Sequence, residues 1–221
     1  MLKNIFLKVF ENYKNVIQFV LIISLMMVFG ACGLQNKLTA DEIEGLREEY
    51  PTYGINAPEH IDIKFTSFEE TEKYIDTFVY GEIVGQTRIY TKNILTGIEE
   101  LDKKREENGI SSTFSFRENI FRVTKDTKGY YNEGDEIILT TSEELLGYLP
   151  EFKEGMKLII PVAFDSDDNK NADYTVKGMY HVTEDGFCIA AFDEETYSKL
   201  DLSGRKIEEV LKELKKYGKS E

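Results

Sequence analysis

Thr77-Phe78-Val79-Tyr80-Gly81-Glu82-Ile83-Val84-Gly85 is dense in β-branched and aromatic residues and predicts a strand. A glycine inside such a run marks a bulge or a sharp bend, so Gly81 predicts a strand that turns. Residues 113–126 form a second long strand. In it Phe114 and Phe116 share one phase, and Phe121 and Val123 share the other. A one-residue slip near residues 117–119 would bring both pairs to one face, which is what a β-bulge does. Asn132-Glu133-Gly134-Asp135 is a turn into a strand at 137–141, and Lys153-Glu154-Gly155-Met156 is a turn into a strand at 158–164. Pro161 removes a ladder donor there and predicts a bulge or an edge. Residues 165–173 predict a polar hairpin loop. Residues 174–177, 179–183 and 187–192 are strands, the last two joined around Asp185-Gly186. About five main strands, bent and joined by tight turns, predict a mainly β fold with helical ornaments: a small closed or nearly closed barrel.

The ornaments have their own signals. Residues 41–50 read as a short acidic helix capped by Thr39 and stopped by Pro51. Ser67-Phe68-Glu69-Glu70 is a capping box that opens a short helix. Ile94, Leu95, Ile98 and Leu101 recur at helical spacing and predict an amphipathic helix ending at Gly109. Residues 142–149 predict a helical turn. Residues 206–217 predict a C-terminal helix whose stripe of Ile207, Val210, Leu211 and Leu214 must pack on the barrel or on a partner.

The first 31 residues follow different rules. Residues 1–15 are basic, residues 16–29 are almost uniformly apolar, and small Gly30 and Ala31 precede Cys32. This order resembles a bacterial lipoprotein export signal, in which the cysteine receives diacylglycerol and becomes the first residue of the mature chain. Two acyl chains anchor a protein where one is marginal. An uncleaved signal-anchor over residues 16–34 and a buried helix are the alternatives, and the basic flank speaks against the last. The expected organisation is a signal peptide at 1–31, a spacer with a short acidic helix at 32–66, and a barrel domain with its helix at 67–217. The expected address is the extracytoplasmic face of the cell membrane, with Cys32 as the lipid attachment site.

Charge and cysteine content narrow the function. The formal net charge is −14, and residues 1–31 are themselves positive, so the remainder is near −16. Such a surface repels nucleic acid, whose binding needs Lys and Arg. With Cys32 acylated, Cys188 is left without an intramolecular partner, so no disulfide staples the fold. The absence of tryptophan is offset by 13 Tyr and 14 Phe, which supply large apolar surfaces.

The order of Val79-Tyr80-Gly81-Glu82-Ile83-Val84, Lys128-Gly129, Glu133-Gly134-Asp135-Glu136-Ile137, Pro150-x-x-x-x-Gly155-x-x-Leu158 and Gly178-x-Tyr180, ending in an amphipathic helix, resembles a family of secreted and lipid-anchored Gram-positive proteins with an OB-like barrel. The likeness spans residues 67–216. It implies a fold and no catalytic residue, because its motifs are turn and core signals.

Three groups of residues are candidates for chemistry. Asp165, Asp167, Asn169, Asn171 and Asp173 place oxygens at alternate positions, like the start of a calcium loop. Lys170 stands where that loop has glycine, and Val176 where it has a bidentate Glu. A polar hairpin tip accounts for the same letters. His181 and Cys188 fall on one face of a hairpin if its turn has two residues, and a thiol dyad would need a hydrogen bond between them. His60, the other histidine, reads as a loop residue. Tyr130, Tyr131 and Tyr148 lie in loops, where aromatic faces stack on sugars or simply pack. These features favour a non-catalytic binding or envelope-accessory module with a protein, peptide or glycan partner. The alternative is an extracytoplasmic hydrolase using acidic residues, with calcium as its candidate cofactor.

Overall fold

The computed structural model describes residues 37–55, 66–165 and 168–219. Cys32 and the whole export segment, His60 and Asp167 lie outside the described residues. Seven strands form one sheet: β1 Thr77–Asn93, β2 Thr113–Asp126, β3 Glu136–Ser142, β4 Lys157–Asp165, β5 Asp168–Tyr174, β6 Tyr180–Val182 and β7 Cys188–Ala190. Among the described residues five short α-helices accompany them: α1 Ala40–Gly45, α2 Phe68–Thr71, α3 Glu99–Glu107, α4 Glu194–Tyr197 and α5 Ile207–Leu214. None of these helices is long and apolar enough to cross a membrane.

The sheet closes on itself. The strand order is β1-β2-β3-β5-β4-β6-β7, and β1 also pairs with β4, so β1, β2, β3, β5 and β4 make a ring. All its pairings are antiparallel except β3 with β5, which is parallel through Ile138 with Asn171 and Leu139 with Ala172. β1 can serve two neighbours because it bends. Its register against β2 shifts after Tyr80, after Ile83 and after Gln86. A side chain at Gly81 would meet the Arg122 carbonyl oxygen at 2.0 Å, so only glycine lets β1 fold this close to β2. The slip expected near residues 117–119 lies on the opposite strand, where Thr87 of β1 is skipped, while the irregularity at Gly81 skips Thr124 of β2. Phe116 stays on the outer side, stacked with Tyr90 at 5.6 Å, while Phe121 is fully buried inside the ring.

Two cores hold the fold. Val79, Ile83, Phe121, Val123, Ile137, Leu139, Leu158, Ile160 and Val162 fill the ring. A second layer joins Phe68, Phe78, Ile159, Tyr180, Cys188, Phe192 and the α5 residues Val210, Leu211 and Leu214. Burying each of those aliphatic side chains contributes about 1.5–3 kcal/mol, which explains how an eight-residue helix persists. Both expected N-terminal caps are present. Thr39 and Glu42 cap α1, and Ser67 and Glu70 cap α2, each pair satisfying two orphan backbone donors.

Pro161 sits where β4 changes partners on one edge, from β6 at Ile159 to β5 at Val162. A missing backbone donor there breaks no ladder bond.

Three expectations are corrected. Residues 168–174 are strand, so the polar hairpin loop shrinks to its tip and strand β5 ends at Tyr174. The helix expected from residue 94 starts only at Glu99, because β1 continues to Asn93. Its apolar residues do not pack: Leu95 is 60% and Ile98 56% exposed, on a two-stranded arm that runs out beyond the ring.

Candidate functional site

A cleft of about 850 Å³ opens on the outer side of β2 and β3. Its floor is Ile120 and Ile138, which pair across the two strands on the face away from the core. One wall is the segment after β2, with Tyr130, Tyr131 and Asp135. The opposite wall is the β4–β5 hairpin, with Phe164 and Lys170. Thr87 of β1 and Glu136 of β3 complete the rim.

The first wall is built by Asp126. Its carboxylate accepts from the Thr77 hydroxyl, from the Lys128 N–H at 2.8 Å and from the Tyr131 N–H at 2.9 Å. One acidic side chain at the end of β2 thus folds the next five residues back, as aspartate does in turns. The neighbouring Thr127 exchanges backbone and side-chain hydrogen bonds with Phe78. The tyrosines that follow meet Phe164. Tyr130 lies edge-on to it at 4.8 Å and Tyr131 at 5.6 Å, geometries that suit the ring quadrupoles. Tyr131 is buried, and burial beside Asp126 pushes its phenol up to about 12. Tyr130 is 42% exposed and offers its ring to the cleft. Tyr148 is buried and does not join them.

The carboxylates of the rim are already engaged. Asp135 accepts from the Asn132 N–H at 2.7 Å, and Glu136 pairs with Arg122 at 2.7 Å. Further along β2, Glu118 is 7% exposed and held by Arg88 through two bonds of 2.8 Å, with Thr87 at 3.0 Å. The Arg88 guanidinium keeps the Glu118 carboxyl below its ordinary range. Every one of these acids is a hydrogen-bonded support.

The other sequence candidates separate. The β6–β7 hairpin pairs Val182 with Cys188 and His181 with Ile189. Its turn is longer than two residues, with Thr183 bonded to Phe187. His181 and Cys188 therefore face opposite sides of the hairpin. Cys188 is fully buried in the second core, where burial pushes its thiol far up. Asn171 and Asp173 alternate along β5, where same-face side chains stand about 7 Å apart. Among the described residues no group of three or more His, Cys, Asp or Glu is placed to hold a metal.

Phe164, Ile120 and Ile138 were not singled out by the sequence, and Lys170 only as a departure from a calcium loop. The available signal was Ile138 inside Ile137-Ile138-Leu139, an apolar residue on the outward phase of a strand.

No protein-family model, curated protein or solved structure matches the chain.

Proposed function

We propose that the chain is a non-catalytic binding module, an OB-like barrel with a C-terminal helix, held at the extracytoplasmic membrane face by a lipid on Cys32. The observation that carries the binding role is the aromatic-walled cleft over the outer side of β2 and β3. In OB-type barrels the face of the second and third strands, with the loop between the fourth and fifth, is the usual ligand surface. Here the same elements supply Ile120, Ile138, Phe164 and Lys170. The warrant from fold to role is analogy, and the site chemistry narrows it. The net charge of −14 disfavours nucleic acid. The exposed Tyr130 ring, with Asp135, Glu136 and Lys170 on the rim, suits a saccharide chain, which presents apolar ring faces and many hydroxyls. Engagement of the rim carboxylates favours binding over hydrolysis.

The lipid anchor rests on the Val28-Phe29-Gly30-Ala31-Cys32 stretch and the basic, apolar run before it. Cell fractionation tests it. Cys32→Ser is expected to release or mislocalise the protein, and unchanged membrane retention would indicate an uncleaved signal-anchor. Calorimetric titration of the full chain with soluble oligosaccharides tests the cleft. Tyr130→Ala is expected to weaken binding about five- to tenfold, for the loss of roughly 1 kcal/mol of ring contact. Equal affinity in that variant would remove the cleft from the account.

A further inference from the structure

A second, smaller cleft of about 310 Å³ lies beside Tyr50, at the start of β4 where β6 pairs with it, and among the described residues shares no lining residue with the first. His181 of β6 forms part of its lining and is only 2% exposed. Its Nε2 lies 3.0 Å from the Pro51 carbonyl oxygen. A carbonyl only accepts, so Nε2 carries the proton and the neutral ring leaves Nδ1 as an acceptor. Among the described residues Nδ1 has no hydrogen-bond partner. The ring that carries it is one of the lining residues of the cleft. The Tyr50 ring leans on the imidazole at 5.6 Å. Glu49, Glu154 and Glu184 stand around the opening, and Glu154 and Glu184 have no ion-pair partner among the described residues. Lys157 is the one cation among the described lining residues, where negative charge prevails. Arg47 lies behind, spent on the carbonyls of Ala190 at 2.7 Å and Tyr50 at 3.4 Å.

We propose that this cleft receives one arginine side chain of a basic partner protein. The imidazole acceptor in its lining asks for an N–H donor, and the surrounding carboxylates ask for a cation. The volume is at the lower limit for small-molecule sites and accommodates a side chain rather than a whole cofactor. A guanidinium meets all three demands. Its plane stacks on Tyr50, and its five donors divide between the carboxylates and Nδ1, which a compact ammonium cannot reproduce. The excess negative charge of the chain steers such a partner toward this face.

The test is nuclear magnetic resonance of the full chain in detergent, observing the His181 ring, with His60 as an internal control. The probes are a blocked Gly-Arg-Gly tripeptide and its citrulline counterpart, which keeps the shape and loses the charge. Arginine is expected to move the His181 signals saturably, while citrulline leaves them in place. The double variant Glu154→Gln, Glu184→Gln removes two exposed carboxylates without touching either core, and is expected to weaken the response about tenfold. Static His181 signals, an equal response to citrulline, or undiminished binding by the double variant would each overturn the proposal.

Discussion

His181 makes stability depend on pH with a sign and size that follow from its surroundings. The ring is held between Tyr50 at 5.6 Å and Tyr53 at 5.9 Å, with Nε2 on Pro51. Burial drives the imidazole from 6.5 to about 4, with the Arg47 charge adding to the effect and the Pro51 contact opposing it. In the unfolded chain the ring protonates near 6.5. Between pH 6.5 and 4 the unfolded state therefore binds more protons, and stability falls as pH falls. At pH 5 the loss from this one group is about 2 kcal/mol, rising to about 3 kcal/mol below pH 4. Urea unfolding followed by circular dichroism measures it, with His181→Gln as the reference, since the glutamine amide can still donate to Pro51. The carboxylates titrate in both proteins, so the difference between the two curves isolates the ring. The wild type is expected to lose about 2 kcal/mol more than the variant between pH 7.5 and 5. Parallel curves would refute a neutral, buried His181.

Other outcomes follow from the packing. Gly81→Ala forces a Cβ within 2.0 Å of the Arg122 oxygen and is expected to cost about 3 kcal/mol or more, read as a lowered Tm; a melt within a degree of wild type would contradict the close approach of β1 and β2. The Cys188 thiol, sealed in the second core, is expected to resist a thiol-reactive dye in the native state and to react only on unfolding, whereas fast native labelling would reopen a role for it. Millimolar calcium is expected to leave Tm unchanged, since residues 168–174 run as a strand, and a clear rise would restore the ion site.

The sequence was most legible where local chemistry and burial agree. The Gly81 run, the Ser67 capping box, the turns before β3 and β4 and the apolar stripe of residues 207–214 all combine a local signal with an inward face. Legibility failed where a neighbouring strand decides. Which strand carries each bulge depends on how β1 and β2 meet, with Thr124 skipped in β2 beside Gly81 and Val84 and Thr87 skipped in β1, and neither strand encodes the other. The polar run at 165–173 carries every mark of a loop, yet β3 and β4 supply ladder partners that draw residues 168–174 into the sheet. One residue of turn length put His181 and Cys188 on one face in prospect and on opposite faces in fact. The cleft was half visible. Tyr130 and Tyr131 announced themselves as loop aromatics, while Phe164 looked like core until the hairpin turned it toward them.

Chemical-shift mapping of the full chain against a soluble oligosaccharide ladder is the most direct test of a saccharide-binding module. The expected result is a patch of moving amides on Ile120, Tyr130, Tyr131, Ile138 and Phe164, with affinity that stops rising once the saccharide outgrows the cleft. Shifts confined to other faces, or none for any length of chain, would contradict it.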